Sequence, residues 1–216
     1  PKQILNEAQL DTFMTAIEQD EVWRDFFFTE LTTGLRRGEI CGLQWEDFDE
    51  ADGTLKIVRS VSSRKAGALE IGETKTNKCR RTISLPDSTS QRLRERKKAA
   101  ISQWIFPNPL HPEEPVNPSY TYHRLKTILK NTGLPSIRFH DLRHTFATHA
   151  LAGGVDAKTL SGILGHTNAS FTLDTYTHVT GDMQKQAANL VGDFMADILG
   201  EEWKPWQESE RTAREP

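Results

Sequence analysis

Apolar side chains fall at Leu10, Phe13, Met14 and Ile17, the i, i+3, i+4, i+7 spacing of one helix face. Asn6 precedes them with Gln9 three positions on, a capping-box pattern that starts a helix. "VWRDFFFTELTTGL" predicts a second, mostly buried helix that ends at Gly34. "RRGEICGL" reads as a short helix after that turn. The period then changes to two. "TLKIVRSV" is β-branched and alternating and predicts a strand, and "RRTISLP" predicts another, stopped by Pro86. Between them, "SSRKAGALEIGETKTNK" holds turn residues and short apolar pieces, so the whole reads as one small antiparallel sheet.

Helices then return. "DSTSQRLRERKKAAI" starts with capping residues and is strongly basic. "NPSYTYHRLKTILKNTG" has Asn at the cap, Pro at the first helical position and Gly at its end. "FHDLRHTFATHALAGG" is helical until its paired glycines, and "DAKTLSGILG" runs from Asp156 to Gly165. "SFTLDTYTHV", capped by Ser170, predicts a further short helix. "MQKQAANLVGDFMADIL" is amphipathic, with Ala187, Leu190, Val191, Phe194 and Ile198 on one side. The fold class is mainly α with a small antiparallel β-sheet (α+β). One core is expected over residues 1–200, with a polar tail at 201–216 that carries Trp203 and Trp206.

Hydrophobic residues make up 36% and charged residues 26%, an ordinary balance for a water-soluble domain. No apolar run approaches the ~20 residues that span a bilayer, and the start carries no signal-peptide pattern. Cys41 and Cys79 do not suggest a disulfide framework, so a reducing, cytoplasmic setting and no membrane are expected. A start at Pro1 fits a piece of something longer. The net charge of −3 hides a strong asymmetry. Residues 1–55 hold 4 basic and 13 acidic residues, and residues 56–98 hold 13 basic and 4 acidic. The central block reads either as an anion-binding surface or as solvated faces of helix and hairpin.

"HDLRHTFATH" concentrates the candidate chemistry. On a helix, His140 and Arg143 share a face and can both donate to one anion. His140 and His144 have the i, i+4 spacing of zinc ligands, but His149 lies about 140° further round the helix and no cysteine is near. Hydrogen-bonded packing is the preferred reading of His144 and His149, and no metal or other cofactor is expected. Gly165 ends a helix and presents His166 at its exit, 23 positions after Arg143; Tyr176 follows 10 further on. A phenol is a poor nucleophile at its ordinary pKa of ~10. Cationic donors around a phosphate favour the phenolate and stabilise the charge of the transition state.

In order, "TGLRRGEICGLQWEDFD", "TKTNKCRRTISLP", "HDLRHTFATHALAGG", "LGH" and "TYTHV" resemble the catalytic domain of a tyrosine recombinase, of the phage-integrase family of site-specific recombinases. The resemblance covers about Leu31 to Val179 and is similar in style to integrases of phages and conjugative transposons. It implies that Tyr176 attacks the scissile phosphate to form a 3′-phosphotyrosyl bond. It implies that Arg36 and Arg143 bind the non-bridging oxygens, that His140 and His166 complete the pocket, and that Glu39 orients Arg36. Lys75 becomes the general acid for the leaving 5′-oxygen. Lys78 competes for that role, because "TKTNKCRR" departs from the usual proline before the lysine and from serine at Cys79. Arg37 competes with Arg36 on composition, and the family pattern favours the arginine directly after "TGL". Arg37, Arg59, Arg64, Lys65, Lys78, Arg80 and Arg81 become candidate DNA contacts, with "RLRERKK" either joining them or forming a solvated face. The implied partners are double-stranded DNA, further copies of the chain (a tetramer on recombining DNA, a monomer as an isolated domain) and accessory directionality factors. The family's N-terminal DNA-binding domains do not fit in the segment before "TGLR".

Overall fold

Asn6 accepts a hydrogen bond from Gln9 N–H at 2.9 Å, and the Gln9 side chain accepts from Asn6 N–H at 3.0 Å. This reciprocal cap starts α1 (Glu7–Glu18). The computed structural model describes residues 3–64, 68–73 and 80–166, together with Lys185, Ala188, Asn189 and Val191. Those last four are helical and belong to a second compact unit, Thr177–Pro216; the first unit is Pro1–Tyr176. The helix expected at Ser170–Val179 lies outside the described residues, and of the helix expected at Met183–Leu199 only those four are described.

The other helices follow their punctuation. α2 (Arg24–Thr33) ends at Gly34 in the left-handed conformation, and α3 (Arg37–Cys41) follows. α4 spans Asp87–Lys98, with Pro86 rather than an acceptor side chain at its cap. Asn117 caps α5 (Pro118–Thr132) through Ser119 N–H at 2.8 Å. α6 is Phe139–Ala152, and Asp156 caps α7 (Ala157–Leu164). Among the described residues no helix is long and apolar enough to cross a membrane.

The expected single sheet is instead two antiparallel ladders. β1 (Phe48–Asp49), β2 (Thr54–Ile57) and β5 (Arg81–Ser84) form one, in the order β1-β2-β5, with Leu55 opposite Ile83. β3 (Arg59–Ser63) and β4 (Leu69–Glu73) form the other, with Val61 opposite Ile71. β5 offers only four residues and covers β2 alone. The continuation of "TLKIVRSV" beyond Val58 therefore pairs with its own hairpin partner, "LEIGE".

The buried core joins Phe13 and Ile17 of α1, Phe26 and Phe27 of α2, Leu125 of α5, and Phe139 and Leu142 of α6 to Leu55 and Ile57 of β2. Phe27 stands edge-on to both Phe13 and Phe26, at 5.8 and 5.3 Å between centroids, a favoured aromatic geometry. α3 packs directly on β3: a Cβ at Gly38 would lie 2.6 Å from the Val61 carbonyl oxygen. The glycine of "RRGE" thus holds Arg36 and Arg37 where helix meets hairpin.

Candidate active site

The last carbonyls of a helix have no partner within it and form the negative end of its dipole. At the end of α7 three arginines take them in succession. Arg81 Nε donates to the Ile163 carbonyl at 2.6 Å, Arg143 Nη2 to Leu164 at 2.7 Å, and Arg36 Nη2 to Gly165 at 3.0 Å. Residues from α6, from β5 and from the turn before α3 are thereby gathered around one helix end. Gly165 closes that helix with φ +65°, and a Cβ there would meet Arg81 Nη1 at 2.8 Å. Only glycine combines the left-handed turn with so close an approach.

Glu39 knits the arginines together. Its Oε2 accepts Arg36 N–H at 3.0 Å, and its Oε1 accepts Arg36 Nη1 at 2.7 Å. Arg81 donates to both oxygens, Nη1 to Oε1 at 3.1 Å and Nη2 to Oε2 at 2.9 Å, the bidentate fork that suits guanidinium to carboxylate. Burial pushes the Glu39 carboxyl up, but the hydrogen bonds and charges of Arg81 and Arg36 outweigh it and hold the group below the usual range. Glu39 is therefore ionised at neutral pH.

Arg143 is buried at 2% exposure, and Nη1 also donates to the Gly34 carbonyl at 2.8 Å. Burial, then the charge of Arg36, lowers its pKa to about 10. It stays protonated at neutral pH, but its charge is poorly compensated. Nη2 lies 2.9 Å from His166 Nε2. Arginine only donates, so Nε2 accepts and the ring proton sits on Nδ1. Burial and the cations Arg143, Arg36 and Arg81 pull His166 down to about 4, which keeps its imidazole neutral at pH 7. His140 is lowered by burial and by Arg143, and its ring stands edge-on to His144 at 4.6 Å.

Three guanidiniums thus face one ionised carboxylate, and a phosphodiester would supply missing negative charge. Among the described residues Arg36 uses two of its five N–H donors, and its side chain is 39% exposed. Gly34 lends a carbonyl to Arg143 and Gly165 lends one to Arg36. The local glycine motifs therefore build the pocket through their backbone.

The structure places Arg36, Glu39, His140, Arg143 and His166 at or beside this cluster. Tyr176, Lys75, Lys78 and Lys65 lie outside the described residues. Arg81, expected among the DNA contacts, is turned inward with 8% of its side chain exposed. On β5 it lies within reach of the buried Glu39, and leaving that carboxylate with only the Arg36 bonds would be costly. Arg59 is spent on Asp47 and Glu46, and the exposed Arg64 pairs with Glu70 across its hairpin. Arg37 and Arg80 are exposed. His149 Nε2 meets the Leu5 carbonyl at 2.9 Å, and Leu5 N–H donates to Thr145 at 3.2 Å, so His149 fastens the N-terminal segment to α6. No group of three or more His, Cys, Asp or Glu converges among the described residues. Two contributors escaped the sequence reading. Arg81 looked like one more basic residue in a basic run. Glu30 shares α2 with a second buried carboxyl, Asp25, so nothing in the local pattern set it apart.

Comparisons with known proteins agree with this architecture. The model of the phage integrase family matches residues 3–182. A tyrosine recombinase XerC-like protein of Caldanaerobacter subterraneus subsp. tengcongensis is 30% identical, covering 78% of this chain and 48% of that protein. The ICEBs1 integrase of Bacillus subtilis is 27% identical, over 85% of this chain and 52% of that protein. The chain therefore spans about half the length of these curated relatives. The Tn1549 transposon integrase, solved in complex with transposon right end DNA, is 25% identical and superimposes with a TM-score of 0.76, covering 89% of this chain and 67% of that one.

Proposed function

The chain belongs to the phage integrase family, and from that premise we propose that it is the catalytic domain of a site-specific DNA recombinase, breaking and rejoining strands to integrate or excise a mobile element. Its substrate is double-stranded DNA. The observation that carries this reading is the gathering of Arg36, Arg143 and His166 at the end of α7, with Glu39 and Arg81 bracing them. That cluster is short of negative charge and offers forked donors, which suits a phosphodiester.

In the proposed reaction the phenol oxygen of Tyr176 attacks phosphorus. Arg36 and Arg143 take the non-bridging oxygens and hold the charge of the transition state. The bond to the 5′-oxygen breaks, and Lys75 protonates that oxygen, leaving a 3′-phosphotyrosyl bond and a 5′-hydroxyl. Neutral His166 and His140 hydrogen-bond the phosphate and between them take up the phenol proton as the new O–P bond forms. Charge is balanced by guanidinium groups, and Glu39 is already engaged by two of them, so no metal enters the proposal. The reverse attack by a 5′-hydroxyl of another strand completes exchange. Tetramers on two duplexes, a monomeric isolated domain, accessory directionality factors and a cytoplasmic setting belong to the same reading, as does the assignment of residues 1–200 to the catalytic domain.

A nicked duplex that loses its 5′-hydroxyl fragment after cleavage traps the covalent intermediate. The expected result, with a chelator present, is a protein–DNA adduct that resists denaturation, lost in Tyr176→Phe and slowed about 10²–10³-fold in Arg143→Ala. An undiminished adduct in Tyr176→Phe would show that another group is the nucleophile.

A further inference from the structure

Beside His140 a cavity of about 340 Å³ opens among α2, α3, α5 and the start of α6, lined by Glu30, Arg37, Tyr122, Arg138 and His140 together with Leu35 and Phe139. Arg37 is exposed and makes no ion pair among the described residues. Arg138 is steadied by Asp141, with Nε to Oδ2 at 3.0 Å and Nη2 to Oδ1 at 2.8 Å. Its Nη1 makes no hydrogen bond among the described residues. α6, 14 residues long, begins at this cavity, and the positive end of a helix favours an anion.

A second observation is independent of those charges. Glu30 lines the same cavity, is fully buried, and neither carboxyl oxygen has a hydrogen-bond partner among the described residues. Burial, aided by the charge of Glu39 and only partly opposed by Arg143, raises its pKa well above the usual value. In its protonated form the group has an O–H to give. A buried donor without an acceptor costs free energy. An anionic oxygen would accept that hydrogen bond, and its negative charge would keep the acid protonated. The volume leaves room for a tetrahedral anion with several waters, at about 30 Å³ each.

The geometry points to a second phosphate site: this cavity takes a non-scissile backbone phosphate of the bound DNA, gripped by Arg37 and Arg138 together and completed by a hydrogen bond from Glu30. The identity of the ligand as DNA rests on the function proposed above. The site holds the duplex beside the reacting phosphate without touching the reacting atoms, and Glu30 acts in it as a positioning residue.

The test is the salt dependence of binding to a duplex of arbitrary sequence, which needs no strand cleavage and so stands or falls apart from the Tyr176 adduct. Each neutralised phosphate contributes about 0.9 to the slope of log K against log salt. If the two arginines share one phosphate, Arg37→Ala combined with Arg138→Ala makes the slope shallower by about 0.9. A decrease of about 1.8 would mean two separate phosphates and overturn the shared site, and no decrease would overturn the site altogether. Glu30→Gln keeps a donor and should bind within about twofold of the parent. Glu30→Leu should bind several-fold more weakly, and should have no effect in the double-arginine variant; a Leu effect that persists there would overturn the role of Glu30. Orthophosphate alone, followed through the NMR signals of Tyr122, gives a second readout if Glu30→Leu does not fold. The expected shifts disappear in the double-arginine variant, and shifts that persist there overturn the site. Saturable orthophosphate binding with an unchanged duplex slope would make free phosphate the ligand and overturn the assignment to DNA.

Discussion

Arg81 and Glu39 meet as a forked pair with 8% and 3% of their side chains exposed, and Arg36 hangs from the same carboxylate. Removing Arg81 leaves a buried carboxylate with half its partners and opens the Ile163 carbonyl. Such a break costs about 3–5 kcal/mol. Arg81→Ala is expected to lose stability in that range by urea denaturation, and to lose adduct formation even where it remains folded. Arg81→Lys keeps the charge but not the fork. It is expected to recover part of the stability while adduct formation stays slow, because Glu39 no longer fixes Arg36. A lysine variant with parental rates would show that only charge matters at this position. The sequence made Arg36, Glu39, His140, Arg143 and His166 legible because their local motifs are distinctive. It could not reveal the role of Arg81, since the direction of a side chain on β5 depends on β2 and α7, which pack against it from far along the chain.

The elements were legible wherever caps and periodicity act locally: Asn6 with Gln9, Asn117 with Pro118, and Asp156 with Gly165 mark helix ends that the structure keeps. β4 was not. "LEIGE" is five residues long, has a glycine at its fourth position and leaves Ile71 half exposed, so only the hydrogen bonds to β3 make it a strand. The same distinction gives a prediction about α7. Gly133 and Gly165 both end helices with positive φ, but a Cβ at Gly133 meets nothing within 4 Å, whereas one at Gly165 meets Arg81. Gly133→Ala is expected to cost only the left-handed conformation, about 1–2 kcal/mol. Gly165→Ala adds displacement of the Arg81 guanidinium, with a larger drop in thermal stability and a loss of adduct formation. Equal effects of the two substitutions would mean that the end of α7 does not set the arginine cluster.

At the scale of the molecule, the charge asymmetry partly cancels internally among the described residues. Five of the thirteen basic residues in the central block pair with the acidic N-terminal segment: Arg59 with Glu46 and Asp47, Arg81 with Glu39, Arg92 with Glu18 and Asp25, Arg96 with Asp25, and Lys97 with Glu50. The basic run on α4 is thus mostly a clamp between α4 and the segments before it. Arg92 also lies over the Phe28 ring at 4.2 Å, an interaction that helps fix it there. The stretch of sequence with the most positive charge is therefore a poor guide to the proposed DNA contacts. Combining Arg92→Ala with Lys97→Ala is expected to change the salt slope of duplex binding by less than about 0.3, where a single phosphate left without its cation would change it by about 0.9. The same pair of substitutions is expected to cost about 1–2 kcal/mol of stability, since exposed pairs contribute up to about 1 each and the Arg92 stacking adds to them. Paired duplex titrations and urea melts measure both quantities on one protein. A slope lowered by about 1.8 with unchanged stability would move α4 onto the DNA and leave Glu18, Asp25 and Glu50 as incidental neighbours. The expected opposite pattern takes α4 off the proposed backbone contacts and leaves the surface around α3 and the start of α6, where among the described residues Arg37 makes no ion pair and Arg138 Nη1 makes no hydrogen bond.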